Sequence, residues 1–158
     1  MSDWVDMTLD VLASDPAEIQ EIELALQEPC EELIAWYGKL CSESHLDMVA
    51  DIKKIVAFKR SEKLGYVHAS MNKARRFDTY VEYEDSGLVW SHIRLVSKHF
   101  PKAIFLARYW NILEYGGKIV IRAGEEVRYS HFNDWFDSDD EVPQWGLAEH
   151  LCPVPRGI

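Results

Sequence analysis

The sequence predicts an α+β fold, an antiparallel sheet with helices packed on one face. Three observations lead there. A strict period-two stretch opens the chain, capped amphipathic segments of helical period separate it from further strands, and the last three strand segments follow one another with only short turns between them. The chain has 158 residues, the size of one ordinary domain, and 47% of them are hydrophobic, enough for a sizeable core.

The first element is the clearest. From Trp4 to Ala13, Val5, Met7, Leu9 and Val11 alternate with Asp6, Thr8 and Asp10. That pattern predicts a half-buried strand with its acids outward. A helix follows: Asp15 suits the N-cap, Pro16 the first helical position, Glu18 completes a capping box, and Ile19, Ile22 and Leu26 form one stripe. Pro29 ends it. "EELIAWYGKLC" reads as a second, short helix. "HLDMVADIKKIVAFKR" (residues 45–60) carries helical spacing through Met48, Val49, Ile52, Ile55 and Val56, but its end could equally be a strand, because short apolar runs do not separate the two states.

"YVHASMN" and "RRFDTYVEYE" read as strands, the second with Phe77, Thr79, Val81 and Tyr83 on one face. Val89, Ile93, Val96 and Phe100 then mark a helix that Pro101 stops. "KAIFLARYWNILE" is a strong strand, and "GKIVIRAGEEVRYSHF" reads as two more around Ala123-Gly124. The pair Gly116-Gly117 lacks the spacing of a dinucleotide or phosphate loop and leads into a strand rather than a helix. It is therefore expected to be a tight hairpin turn between "AIFLARYWNILE" and "KIVIR". Residues 1–132 are expected to form a single domain. Residues 133–158, with five acids and no base from Asp134 to Glu141, then Pro143, Pro153 and Pro155, read as an acidic, irregular extension.

Charge is unevenly spread. The net charge is −10. Residues 1–50 hold 12 acids and one base, whereas residues 51–76 hold 2 acids and 8 bases. An acidic whole disfavours non-specific binding to nucleic acid or anionic membrane. No apolar run is long enough to span a bilayer and the N-terminus lacks the features of a secretory signal, which predicts a cytoplasmic protein without a membrane partner. Three cysteines, Cys30, Cys41 and Cys152, without CxxC spacing argue against a disulfide framework or a zinc knuckle.

Catalytic and metal patterns do not assemble. His92 and His99 are seven apart on one helix, about 10.5 Å along the axis, too far to share a metal readily, and are expected at flanking or surface positions. There is no GxSxG elbow, Cys30 sits among acids, and Ser-His neighbours such as Ser91-His92 carry no weight by adjacency alone. No catalytic residue, cofactor or metal site is assigned. The basic island at 53–76 is the most suggestive feature, with Lys73, Arg75 and Arg76 close to Tyr80. Such residues on a sheet could bind a single strand of nucleic acid. They could equally form a solvated face or an internal contact with the acidic N-terminal part. The acidic tail has three readings too: a peptide for a basic partner, a solubilising extension, or a segment folded back on the island. Tyr109 and Trp110 are candidate exposed contacts on the late strands.

The stretch "FDTYVEYEDSGLVWSHIRLVSKHFPKAIFLARYW" resembles the YubB-type ferredoxin-like family, small proteins carried largely by phages, plasmids and other mobile elements. The likeness lies in Trp90, read as just ahead of a helix, that helix's Phe100-Pro101 end, the apolar-acidic strand that follows, and Gly116, Gly117 and Gly124. It covers roughly residues 77–129, and the W-G-T-K-W stretch usual in that family is absent. The resemblance implies a βαββαβ ferredoxin-like core and no particular activity. The expectation drawn from all of this is a binding protein whose partner is another protein, with nucleic acid as the alternative and an enzyme as a third reading.

Overall fold

A computed structural model describes residues 4–39, 45–61, 73–82, 85–111 and 115–132. The elements run β1 (Trp4–Leu12), α1 (Pro16–Gln27), α2 (Glu31–Gly38), α3 (His45–Ile55), β2 (Lys59–Arg60), β3 (Ala74–Glu82), α4 (Ser86–His99), β4 (Ile104–Asn111), β5 (Tyr115–Arg122) and β6 (Glu125–Phe132). All six strands join one antiparallel sheet in the order β2-β3-β1-β4-β5-β6. The α+β architecture is as expected. The predicted strand at "YVHASMN" and the C-terminal extension lie outside the described residues.

Local chemistry explains the boundaries. The Asp15 carboxylate accepts from the Glu18 amide at 2.8 Å, and Glu18 reaches back to the amide of Ser14 at 2.9 Å. The capping box is thus shifted by one residue, since a standard box would return to the N-cap amide itself. Glu28, held extended ahead of Pro29, closes α1. The ambiguous segment resolves both ways: helix to Ile55, then a two-residue strand at Lys59–Arg60.

The main core lies between the helices and one sheet face. Met7, Leu9, Val11, Phe77, Phe105 and Ile121 from the strands meet Ile19, Ile22, Leu26, Val89 and Ile93 from α1 and α4. A smaller cluster of Leu33, Ile52, Val56 and Leu88 fastens α2 and α3 to α4.

Three expectations need correction. First, Gly116-Gly117 is not a turn. Both glycines lie within β5, opposite Trp110 and Tyr109 on β4 and opposite Phe132 and His131 on β6. The strand therefore begins before the glycines, and each sits across from an aromatic residue that can cover its bare backbone. The conformation that demands glycine occurs at the next hairpin, where Ala123 and Gly124 have φ of 52° and 82°. Positive φ at both central residues is the type I′ signature. Second, β1 is not half-buried. Thr8 and Asp10 on its supposedly outer face are buried as well, because β1 runs through the middle of the sheet and that second face is itself covered. Third, His92 is not a surface residue. It is fully buried, and its Nε2 lies 2.8 Å from the Leu26 carbonyl. It donates there to one of the carbonyls that the end of α1 leaves without an intrahelical partner.

Candidate functional site

The basic island and the acidic N-terminal part meet in space. Glu23 on α1 accepts from Arg60 through Nε and a terminal nitrogen, at 2.9 and 2.7 Å, and from Arg75 at 3.0 Å. Lys53 pairs with Glu28 at 2.9 Å. Arg76 grips Asp10 across the β1–β3 ladder with two bonds of 2.6 and 3.0 Å. The hydrogen bond from Arg60, with help from the charge of Arg75, holds the Glu23 carboxyl below its ordinary value despite partial burial. Arg60 is raised in turn, chiefly by its hydrogen bond to Glu23. These arginines tie α1, β2 and β3 together.

The six residues singled out in the sequence do not form one site. Lys73 is exposed just before β3, with its carbonyl bonded to Ala13. Arg75 and Arg76 are held by Glu23 and Asp10. Tyr80, 61% exposed, stacks on Trp4 with ring centroids 4.9 Å apart on the face away from the helices. Trp110 is half-buried, and the Arg108 guanidinium lies 5.0 Å from its ring centre. Tyr109, its sequence neighbour, points the opposite way, as period two requires. It meets Trp90 of α4 edge-on, with centroids 5.5 Å apart and the planes at 83°.

That last contact opens onto the most site-like concavity. A cleft of about 400 Å³ lies where the first turns of α4 stand over the sheet. Val5, Ile119, Trp90 and Tyr109 supply its apolar and aromatic surface, and Ser86, Ser91 and Arg94 its polar groups. Arg94 forms an ion pair with Glu126 of β6 beside it. A second cleft, about 330 Å³, is lined by Leu33, Trp36 and Leu95, and it shares Ser91 and Arg94 with the first. The two therefore adjoin across α4, with Trp36 43% exposed at the outer one. At Gly87 a Cβ would meet no atom within 4 Å, so the first cleft is open on that side.

Sequence reasoning found Tyr109 and missed the rest of this cleft. Trp90 was visible as an aromatic in a helix, but Ser86, Ser91 and Arg94 become neighbours of Val5 and Glu126 only through the sheet order. Glu23 and His92, whose proton affinities the fold shifts, do not line either cleft. Among the described residues, no cluster of three or more His, Cys, Asp or Glu is placed to hold a metal ion, and no helix is long and apolar enough to cross a membrane. Comparison of the chain with family models, curated proteins and solved structures returned no match.

Proposed function

We propose that this chain is a small cytoplasmic binding protein that holds a segment of another protein in the paired clefts over α4. The observation that carries the reading is the juxtaposition of Trp90 and Tyr109 with Ser91 and Arg94 in a concavity that continues to Trp36. Aromatic walls with a few fixed polar groups suit an apolar anchor side chain and the peptide backbone beside it. The nucleic-acid alternative is weakened because Arg60, Arg75 and Arg76 each already hold a carboxylate of this chain, and phosphate binding would have to displace those pairs.

The strand order β2-β3-β1-β4, with α1 after β1 and α4 after β3, supports a ferredoxin-like core extended by β5 and β6. Distant kinship with the YubB-type, mobile-element proteins is part of the same proposal. It rests on the residues of the 77–129 stretch.

A random peptide library displayed on phage and panned against the full chain tests the binding reading. Peptides rich in apolar anchors should be enriched, and they should be lost when the bait is Gly87→Trp, which fills the cleft. Failure to enrich any family of peptides, or enrichment indifferent to Gly87→Trp, would sink it.

A further inference from the structure

Two residues of α4, Ser91 and Arg94, line both clefts. Gly87, Trp90, Ser91 and Arg94 recur at i, i+3, i+4 and i+7, so one face of the helix looks into the first cleft. Leu95, one residue further round, lines the second. Ser91 and Arg94, neighbours on the helix surface at i and i+3, therefore form the ridge between the two, and a ligand that fills both clefts must pass over them. The crossing is about the width of a helix, about 10 Å, which about three extended residues span at about 3.3 Å each.

Among the described residues, Arg94 is the one Lys or Arg side chain that lines either cleft. It is 47% exposed and meets Glu126 through a single terminal nitrogen. A guanidinium presents its N–H groups as a planar fork that a carboxylate can engage with both oxygens. Ion pairs this exposed are weak, so a second carboxylate can share Arg94 with Glu126 or replace it. The acids that line the clefts already face bases of this chain, Glu126 toward Arg94 and Glu32 toward His99 at 3.8 Å. The net charge of −10 opposes an acidic ligand only at longer range, since physiological salt screens exposed charges beyond about 8 Å. We infer that the segment held in the clefts is acidic: two apolar side chains three or four residues apart, one in each cleft, with an Asp or Glu between them whose carboxylate binds Arg94 on the ridge. The inference rests on the binding reading given above and adds to it the class of partner and the residue that selects it.

A synthetic peptide array tests this on the full chain. Its members carry Leu, Phe or Trp at both anchor positions, three or four residues apart, with Asp, Asn or Lys between them. Asp members should bind the wild type about fivefold more tightly than their Asn counterparts, and Lys members more weakly still. In Arg94→Gln the Asp and Asn members should bind alike. In Glu126→Gln, which releases Arg94 from its partner, Asp members should gain about threefold and Asn members should stay as they are, a split that a merely structural role for the pair would not produce. Binding that Gly87→Trp abolishes but that is indifferent to Asp, Asn or Lys would overturn the inference and leave the cleft reading standing. A preference for Lys would overturn it too. Binding to no member, or binding that Gly87→Trp does not touch, would sink both. If Arg94→Gln fails to fold, the response to Glu126→Gln decides.

Discussion

Asp10 and Arg76 face each other across the β1–β3 ladder, joined by two hydrogen bonds, with 3% and 10% of their side chains exposed. A strand that reads as acid-outward therefore carries its charge into a covered layer. Truncating one partner strands the other's charge away from water. Asp10→Ala and Arg76→Ala should each destabilise the fold by about 3 kcal/mol in urea unfolding. Asp10→Leu/Arg76→Met should recover most of that loss. Additive losses in the double variant would show that the two residues act independently.

The β5–β6 hairpin offers a stabilising change. Ala123 occupies positive φ that alanine tolerates poorly, beside Gly124, which suits its own. Ala123→Asn should raise stability by about 0.5 kcal/mol, as Asn-Gly is the preferred pair for this turn. Gly124→Ala should cost about 1–2 kcal/mol, since it adds a Cβ 3.1 Å from the Lys98 Cβ as well as backbone strain. Thermal melts of the two variants should move in opposite directions.

Stability should fall with acid in two stages. Burial lowers the His92 pKa from its ordinary 6.5, opposed in part by the bond to Leu26. The unfolded chain therefore takes up this proton more readily than the folded one, and stability decreases as pH drops below about 6.5. Glu23, held below its ordinary 4.5 chiefly by Arg60, adds stability above that pH. That contribution is lost as pH falls through the lowered, folded value. His92→Gln can still donate to the Leu26 carbonyl and should flatten the first stage, which sets in as pH drops below about 6.5, while leaving the second. A urea midpoint for His92→Gln that follows the wild-type pH curve would contradict this.

Much of the fold was legible because its signals are local. The β1 alternation, the Asp15–Glu18 cap, the Ile19, Ile22 and Leu26 stripe and the Phe100-Pro101 stop depend on neighbours within a few residues. The errors came where a long-range partner decides. Gly116-Gly117 looks like a turn until Trp110 and Tyr109 are set opposite it. Asp10 looks like a surface acid until Arg76, distant in sequence, arrives from β3. His92 looks like any helix-face histidine until the end of α1 presents the Leu26 carbonyl. The basic island was visible as composition, but its role as the counterpart of Glu23 and Glu28 required the packing of α1 beside β2 and β3. The cleft was the least legible, because it gathers residues from β1, α4, β4, β5 and β6 that no spacing connects.

Calorimetric titration of one panned peptide into three proteins tests the central claim most directly: the wild type, Gly87→Trp, and Leu24→Ser as a control at an exposed position on α1. The account predicts that Leu24→Ser binds like the wild type and that Gly87→Trp weakens binding by at least about tenfold, or 1.4 kcal/mol. Equal affinity for all three would contradict it.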